Sequence, residues 1–265
     1  MSGIDRLFDV AFVRPPPSSY ANCVSTNPGK SDIDVTLARE QHRAYISILK
    51  ESGIRVIELP TLENHPDSVF MQDPALLGSG LAIIGRFGEE SRRGEEKALV
   101  NDLAQHKNET GELKTVSAPG TLEGGDIVVT TSGIFVGKSK RTNSNGIKQL
   151  AAFLKAVRVT SIRTDLLHLL CGCSYLSNGT MIIAPDIVDP AMFPGFRFVT
   201  ISEADAYAAD ALYLGEGRVL IPSGFPRAAG KLRNAGYQPV ETEISEFYRG
   251  DGGVTCLSSP VYKLF

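Results

Sequence analysis

The chain has 265 residues with a net charge of −3, from 27 basic and 30 acidic side chains, and 42% of its residues are hydrophobic. These values are ordinary for a globular protein, and the interspersed charges leave no polybasic patch for nucleic acid or an anionic membrane. Because no apolar run approaches the ~20 residues of a membrane span, and the N-terminus lacks a secretory signal pattern, we expect a cytoplasmic protein.

The first part of the chain predicts two strands separated by a loop and a helix. Residues 9–13 form a short apolar run that ends at three prolines, as a buried strand would. The polar residues 18–31 predict a long loop, after which Ser31 and Asp32 can cap a helix that ends near Gly53. Residues 55–59 then alternate as a strand does.

The remaining chain repeats this alternation. Residues 107–114 predict a solvated loop. The predicted strands lie at 75–85 (with a turn at 78–80), 127–130, 134–136, 157–163, 181–184, 198–201, 211–214, 219–221 and 239–243. The predicted helices lie near 90–105, 145–157 and 227–235. Strand, strand, helix, strand recurs without a flexible linker, which predicts one α/β domain over residues 1–265. The recurring units share no sequence identity, so any repeat is architectural.

Cys256 is a candidate nucleophile, since it follows paired glycines in the Gly-Gly-Val-Thr-Cys stretch at 252–256. The other three cysteines, Cys23, Cys171 and Cys173, are too few for a disulfide framework, and Cys171 and Cys173 lie closer together than a zinc pair. We therefore expect reduced thiols, with Cys171 and Cys173 as small core residues.

The chain has four histidines, and one of them is a candidate acid/base. Polar or charged neighbours surround His42, His65 and His106, so we expect these three side chains to be solvated at the surface. His168 is flanked by four leucines, which is compatible with either a core histidine or a partly buried acid/base next to a thiol.

Acidic and basic residues also occur in apolar or glycine-rich surroundings. Glu123 precedes two glycines that would let a ligand approach closely, and Asp67 and Asp73 flank apolar residues. Because buried carboxylates need cationic partners, these acids point to a cationic substrate. Arg92 and Arg141, each of a type usually found on the surface, could together hold a carboxylate in a bidentate manner.

Seven separated motifs resemble the dimethylarginine dimethylaminohydrolases of the pentein, or guanidino-group-modifying, superfamily. They are Glu-Gln-His-Arg-Ala-Tyr at 40–45, Pro-Asp-Ser-Val-Phe at 66–70, Gly-Glu-Glu-Ser-Arg-Arg-Gly at 88–94, Ala-Pro-Gly-Thr-Leu-Glu-Gly-Gly-Asp at 118–126, Arg-Thr-Asn at 141–143, Leu-His-Leu at 167–169 and the 252–256 stretch. The resemblance implies a five-bladed α/β propeller of ββαβ modules with pseudo-fivefold symmetry around an acid-lined pocket.

The resemblance also implies roles for individual residues. Cys256 would be the nucleophile, His168 the proton-transfer residue and Glu123 the carboxylate that orients His168 and contacts the guanidinium. The implied substrate contacts are Asp73, Asp67 and Gln72 at the guanidinium, Phe70 at the apolar stem, Arg92 and Arg141 at the α-carboxylate, the Gly250 carbonyl at the α-amine, and Val24 in a lid over residues 18–30. Two residues depart from the family pattern, since Gln72 replaces a common glutamate and Leu170 a common lysine.

The implied reaction is hydrolysis of Nω-methylated arginine to citrulline and methylamine or dimethylamine, through a covalent thiouronium adduct, without a metal or organic cofactor. Arginine deiminase-type release of ammonia is the main alternative. Arginine dihydrolases typically carry asparagine at the position of Asp73, which argues against conversion to ornithine. A non-catalytic pentein binding protein is a further alternative, and Cys256 argues against it because binding alone does not require a thiol. Exposed strand edges in such propellers are compatible with a homodimer.

Overall fold

The computed structural model describes residues 5–263, in which the strands form five three-stranded units. The strands are β1 (Phe8–Val13), β2 (Arg55–Glu58), β3 (Ala75–Gly78), β4 (Leu81–Ile84), β5 (Glu112–Thr115), β6 (Ile127–Thr130), β7 (Gly133–Lys138), β8 (Val159–Arg163), β9 (Cys173–Tyr175), β10 (Thr180–Ile183), β11 (Arg197–Thr200), β12 (Leu212–Gly215), β13 (Arg218–Pro222), β14 (Gln238–Thr242) and β15 (Ser259–Tyr262). The helices are α1 (Val35–Glu51), α2 (Glu95–Leu103), α3 (Lys107–Thr110), α4 (Ser144–Phe153), α5 (Pro226–Asn234) and α6 (Ser245–Arg249). None of these helices is long and apolar enough to cross a membrane.

The five units share one topology. In each unit the first two strands are antiparallel and the second and third are parallel, as in β3-β4-β5, β6-β7-β8, β9-β10-β11 and β12-β13-β14. The connection between the two parallel strands contains α2 and α3 in the first of these units and α4 in the second. It contains a 3-10 turn (Pro190–Met192) in the third unit and α5 in the fourth. This arrangement confirms the predicted five-bladed α/β propeller.

The fifth unit joins the two ends of the chain. β15 pairs with β1 in antiparallel fashion, and β1 pairs with β2 in parallel, with α1 as the crossover. β15 also pairs in parallel with β3 through Val261 and Leu77, which links this unit to the next. The last strand therefore closes the ring, and Cys256 lies three residues before it.

Apolar side chains pack between the units and under the helices. β6 and β10 are buried along their whole length, which is why their sequences read as nearly continuous apolar runs. On α1, Ala38, Tyr45 and Leu49 form the buried stripe that packs into one of the four hydrophobic clusters.

Some local predictions were wrong. The cap of α1 is Asp34, whose side chain accepts hydrogen bonds from Thr36 N (2.8 Å) and Leu37 N (3.2 Å), rather than Ser31 or Asp32. The stretch predicted as a solvated loop, residues 107–114, instead contains α3 and most of β5, which pairs with β4 and has exposed or half-buried side chains. His42 is also buried rather than solvated, at 2% exposure, and burial lowers its pKa to about 4.

Candidate active site

His168 and Glu123 form a buried hydrogen-bonded pair. His168 Nε2 lies 2.8 Å from Glu123 Oε2, and Glu123 is fully buried. His168 caps a 3-10 turn (Leu169–Cys171), whose leucines pack into the core. The turn is held in place by Asp126 Oδ1, which accepts a hydrogen bond from Leu169 N at 3.0 Å. The flanking leucines thus anchor the backbone while the imidazole faces polar groups.

The charges around His168 favour its protonated form. Burial alone would lower its pKa, but the Asp73 carboxylate, the hydrogen bond with Glu123 and the Asp126 carboxylate raise it to about 9. At neutral pH the imidazole is therefore a cation that can donate a proton.

Glu123→Gln is expected to lower the pKa of His168, because it removes a carboxylate that stabilises the imidazolium. The titration midpoint of the His168 ring protons, followed by NMR, should move down from about 9. Glu112→Gln, a change to an exposed acid on β5, should leave the midpoint in place. An unshifted midpoint in Glu123→Gln would contradict the assigned pairing.

Asp73 presents one free carboxylate oxygen to the same place. Its Oδ2 bonds Arg92 Nη1 at 2.6 Å, whereas Oδ1 is buried, lies 3.7 Å from His168 Nδ1 and has no hydrogen-bond partner among the described residues. Arg92 is buried as well, and its guanidinium also bonds Glu95 (2.9 and 3.1 Å). Despite burial, His168 and Arg92 hold the pKa of Asp73 below its usual value.

Two glycine pairs allow these close approaches. A Cβ on Gly125 would lie 2.6 Å from the His168 ring and 2.8 Å from Asp73 Oδ1. A Cβ on Gly252 would lie 2.3 Å from the Phe70 ring. Real Cβ atoms do not approach so closely, so any side chain at these positions would displace a group of the site.

Cys256 is held by the turn that precedes β15. The Gly253 N–H donates to Cys256 Sγ at 3.3 Å, and the Cys256 carbonyl accepts from Gln72 N at 3.2 Å. Burial raises the pKa of the thiol well above its ordinary value, and the nearby Asp210 and Asp73 carboxylates raise it further. The sulfur is therefore a thiol in the unliganded protein, and an added positive charge would favour the thiolate.

These side chains surround a small pocket of about 30 Å³. All of the site residues predicted from the sequence line it except Glu123, which lies behind His168, and Gln72. The lining residues are Val24, Asp67, Phe70, Asp73, Arg92, Arg141, Leu167, His168, Gly250, Asp251, Gly252 and Cys256.

The loop predicted as a lid covers the pocket. Val24 N donates to both oxygens of Asp67, at 3.0 and 3.2 Å. Ser25 Oγ donates to the Arg249 carbonyl at 2.8 Å, and Thr26 N donates to Asp251 at 2.6 Å. The loop is thus closed over carboxylates that also line the pocket.

Gln72 does not lie at the guanidinium pocket, contrary to expectation. Its Nε2 donates to the Gly124 carbonyl at 3.2 Å, and its side chain lines a separate cavity. Neighbouring residues point to opposite sides of the segment, so Asp73 faces the pocket and Gln72 faces away. Leu170, the second departure from the family pattern, lines this same separate cavity. The two departures therefore belong to one structural feature outside the pocket of Cys256 and His168.

Two buried acids of the site were missed in the sequence. Asp126 accepts hydrogen bonds from Ser139 Oγ (2.7 Å) and Leu169 N, and burial raises its pKa to about 6. Asp210 accepts from Thr255 N (2.8 Å), immediately before Cys256. Asp126 follows the Gly-Gly pair, which was a usable signal, but nothing local to Asp210 marks it.

Asp73, Glu123 and His168 also bring one potential metal-ligand atom each to within 4.8 Å of one another. Metal binding requires a neutral imidazole. Because the pKa of His168 is raised to about 9 and its Nε2 already bonds Glu123, we interpret the cluster as an acid/base group.

Comparison with known proteins identifies the family. Residues 16–190 match the family profile "N,N dimethylarginine dimethylhydrolase, eukaryotic". The N(G),N(G)-dimethylarginine dimethylaminohydrolase of Pseudomonas aeruginosa is 36% identical over 95% of this chain and 99% of its own length. The chain belongs to the dimethylarginine dimethylaminohydrolase family. It is therefore a hydrolase of C–N bonds other than peptide bonds.

Two solved structures share the fold of this chain. A cysteine-to-serine variant of the Pseudomonas aeruginosa enzyme in complex with citrulline superposes with a TM-score of 0.89, at 34% identity, over 96% of this chain and 99% of that one. The N-terminal domain of ArgZ, a cyanobacterial arginine dihydrolase, gives a TM-score of 0.86 at 20% identity, over 96% of this chain and 98% of that one. The second likeness concerns the fold alone.

Proposed function

We propose that this protein hydrolyses Nω-methylated arginine to citrulline and methylamine or dimethylamine. The observation that carries the proposal is Asp73 Oδ1, a buried carboxylate oxygen that faces the pocket of Cys256 and His168 and has no hydrogen-bond partner among the described residues. A guanidinium N–H would satisfy this oxygen, and the guanidinium charge would compensate the carboxylates around it. The citrulline complex of the Pseudomonas aeruginosa relative agrees with this substrate class.

The pocket lining supports a role for each end of the proposed substrate. Asp67 and Asp73 would bind the guanidinium nitrogens, with Phe70 against the aliphatic stem. Arg141, whose side chain is 14% exposed and lies 3.4 Å from Glu123, is the more accessible arginine for the α-carboxylate. Arg92 bonds Asp73 and Glu95, and these contacts support a role in fixing Asp73.

The first half of the reaction forms the covalent adduct. The cationic substrate offsets the carboxylates that disfavour the Cys256 thiolate, so the thiol gives up its proton to solvent when the substrate binds. The thiolate then attacks the guanidinium carbon. The His168 imidazolium donates its proton to the departing nitrogen, so the C–N bond breaks and a neutral amine leaves. Cys256 then carries the thiouronium cation.

The second half returns the free enzyme. Neutral His168 takes a proton from water, which attacks the thiouronium carbon. Collapse of the adduct breaks the C–S bond and releases citrulline, and the thiolate takes up a proton from solvent once the positive charge has left the pocket. The proton set free in this step ends on the amine, so the overall products are citrulline and an ammonium ion.

Hydrolysis of unmodified arginine by the same residues is the second candidate. It is compatible with the same pocket, because Asp67 and Asp73 would bind an unmethylated guanidinium in the same way. Both reactions give citrulline, so they differ in the amine that is released.

Incubation with monomethylarginine, asymmetric dimethylarginine and arginine tests the proposal. We expect citrulline from both methylated substrates, formed with a higher kcat/KM than from arginine, and release of the corresponding methylamine. Citrulline from arginine alone would establish the second candidate. Absence of citrulline from all three substrates would reject both.

A further inference from the structure

A second cavity of about 540 Å³ adjoins the substrate pocket. Val24, Arg141, Leu167 and Asp251 line both spaces, so the two share this boundary. The larger cavity extends to Asp210, and the covalent steps described above use none of its additional volume. Next to a pocket of about 30 Å³, the larger cavity has room for a second bound molecule.

Asp210 is a buried carboxylate without a counter-ion among residues 5–263. It is 3% exposed, and its oxygens accept hydrogen bonds from Thr255 N (2.8 Å) and Thr255 Oγ1 (3.1 Å). In that part of the chain, no lysine, arginine or histidine nitrogen lies within 4.0 Å of it, and the carboxylate lines the cavity. A carboxylate has about four acceptor positions, so this one retains capacity for a donor. A buried, unpaired carboxylate favours a cationic ligand.

Asp210 lies next to the place where the amine departs. Gly253 lines the cavity and donates its N–H to Cys256 Sγ at 3.3 Å. A Cβ on Gly253 would lie 2.3 Å from the carboxyl carbon of Asp210. Gly253 therefore lies between the Cys256 thiol on one side and the Asp210 carboxylate on the other.

Lys140 and Arg141 line the cavity together with Asp165 and Asp251, and the aromatic part of the lining, next to Asp210, suits an alkylated cation. The rings of Tyr207 and Tyr248 meet edge to face, with centroids 4.5 Å apart, and both line the cavity. Aromatic faces bind methylated ammonium ions through cation–π contacts, and Leu166 adds apolar surface.

We propose that this cavity is an ammonium subsite, which takes the amine released from the substrate as its cation, with Asp210 as counter-ion and the two tyrosines against its alkyl groups. The inference rests on the proposed function, since that function supplies the amine. The amine leaves as a neutral molecule and gains the proton set free when citrulline forms, so it carries a positive charge there. The volume also leaves room for Nω-substituents larger than methyl.

Inhibition by dimethylammonium chloride tests the subsite, with sodium chloride of equal ionic strength as the salt control. In Asp210→Asn, the asparagine oxygen can still accept from Thr255 N. We expect its inhibition constant for dimethylammonium to rise about tenfold or more, because the charge is lost. Asp165→Asn, a matched change to an exposed acid of the same cavity, should keep the wild-type inhibition constant. Tyr248→Ala, at a 49% exposed ring, should raise it about threefold.

A second measurement does not depend on turnover or on the proposed function. Dimethylammonium should speed the alkylation of Cys256 by iodoacetamide in the wild type and in Asp165→Asn, because a cation next to the thiol favours the thiolate, but not in Asp210→Asn. Equal inhibition and an equal change of the alkylation rate in wild type and Asp210→Asn, or the same change with sodium chloride alone, would overturn the subsite. A protein that makes no citrulline yet shows Asp210-dependent acceleration would retain the subsite while the proposed function fails.

Discussion

Cys256→Ser is expected to reduce citrulline formation by on the order of 10³-fold or more. The serine hydroxyl is a much weaker nucleophile than a thiolate, and His168, as an imidazolium at neutral pH, is placed to donate a proton rather than to remove one from serine. The measurement is the steady-state rate of citrulline release from monomethylarginine. In parallel, mass spectrometry of acid-quenched wild-type protein should show the thiouronium adduct on Cys256.

Cys173→Ser is the matched control for this experiment. Cys173 is buried, and its thiol lies 3.6 Å from the Leu169 carbonyl, to which a serine hydroxyl can donate instead. Its activity should stay within a few-fold of wild type. Wild-type activity in Cys256→Ser, or an adduct found on another cysteine, would exclude Cys256 as the nucleophile.

Gln72→Glu and Leu170→Lys are each expected to lower the free energy of unfolding by about 3–5 kcal/mol, whereas the double variant should recover a large part of that loss. Both side chains are buried and line one cavity outside the substrate pocket. Each single change buries an unpaired charge there, and the double change supplies opposite charges to the same cavity. Urea denaturation of the four proteins gives the coupling free energy.

Gln72→Met separates the effect of charge from the loss of the hydrogen bond to the Gly124 carbonyl. It should cost about 1 kcal/mol. Strictly additive losses in the double variant would mean that the two positions do not interact. Compensation would show that the two departures from the family pattern form a matched neutral pair, and that the neutral side chain of Gln72 says nothing against a methylated substrate.

Much of the site could be predicted because its chemistry is local in sequence. Cys256 and Glu123 each stand beside a glycine pair, and the structure shows that Gly125 and Gly252 lie in contact with His168 and Phe70. The leucines around His168 correctly indicated a buried position, and the structure pairs its imidazole with Glu123.

Other features depend on contacts that no local pattern reports. Asp210 is brought to the site by packing against Thr255, a residue 45 positions away in the chain. His42 has polar sequence neighbours but is buried against Tyr45 and Phe247 in the tertiary structure. β5 was missed because its side chains are largely exposed, so it lacks the apolar pattern by which strands are recognised.

The ring closure by β15 has a consequence for biosynthesis. Because the strand that completes the propeller follows Cys256 and pairs with both β1 and β3, Cys256 is fixed in the pocket only after residues 259–262 have paired with these two strands. A nascent chain that has passed His168 but has not reached Cys256 therefore contains His168 and Glu123 without the thiol. In the order of synthesis, the thiol comes after both members of the His168–Glu123 pair.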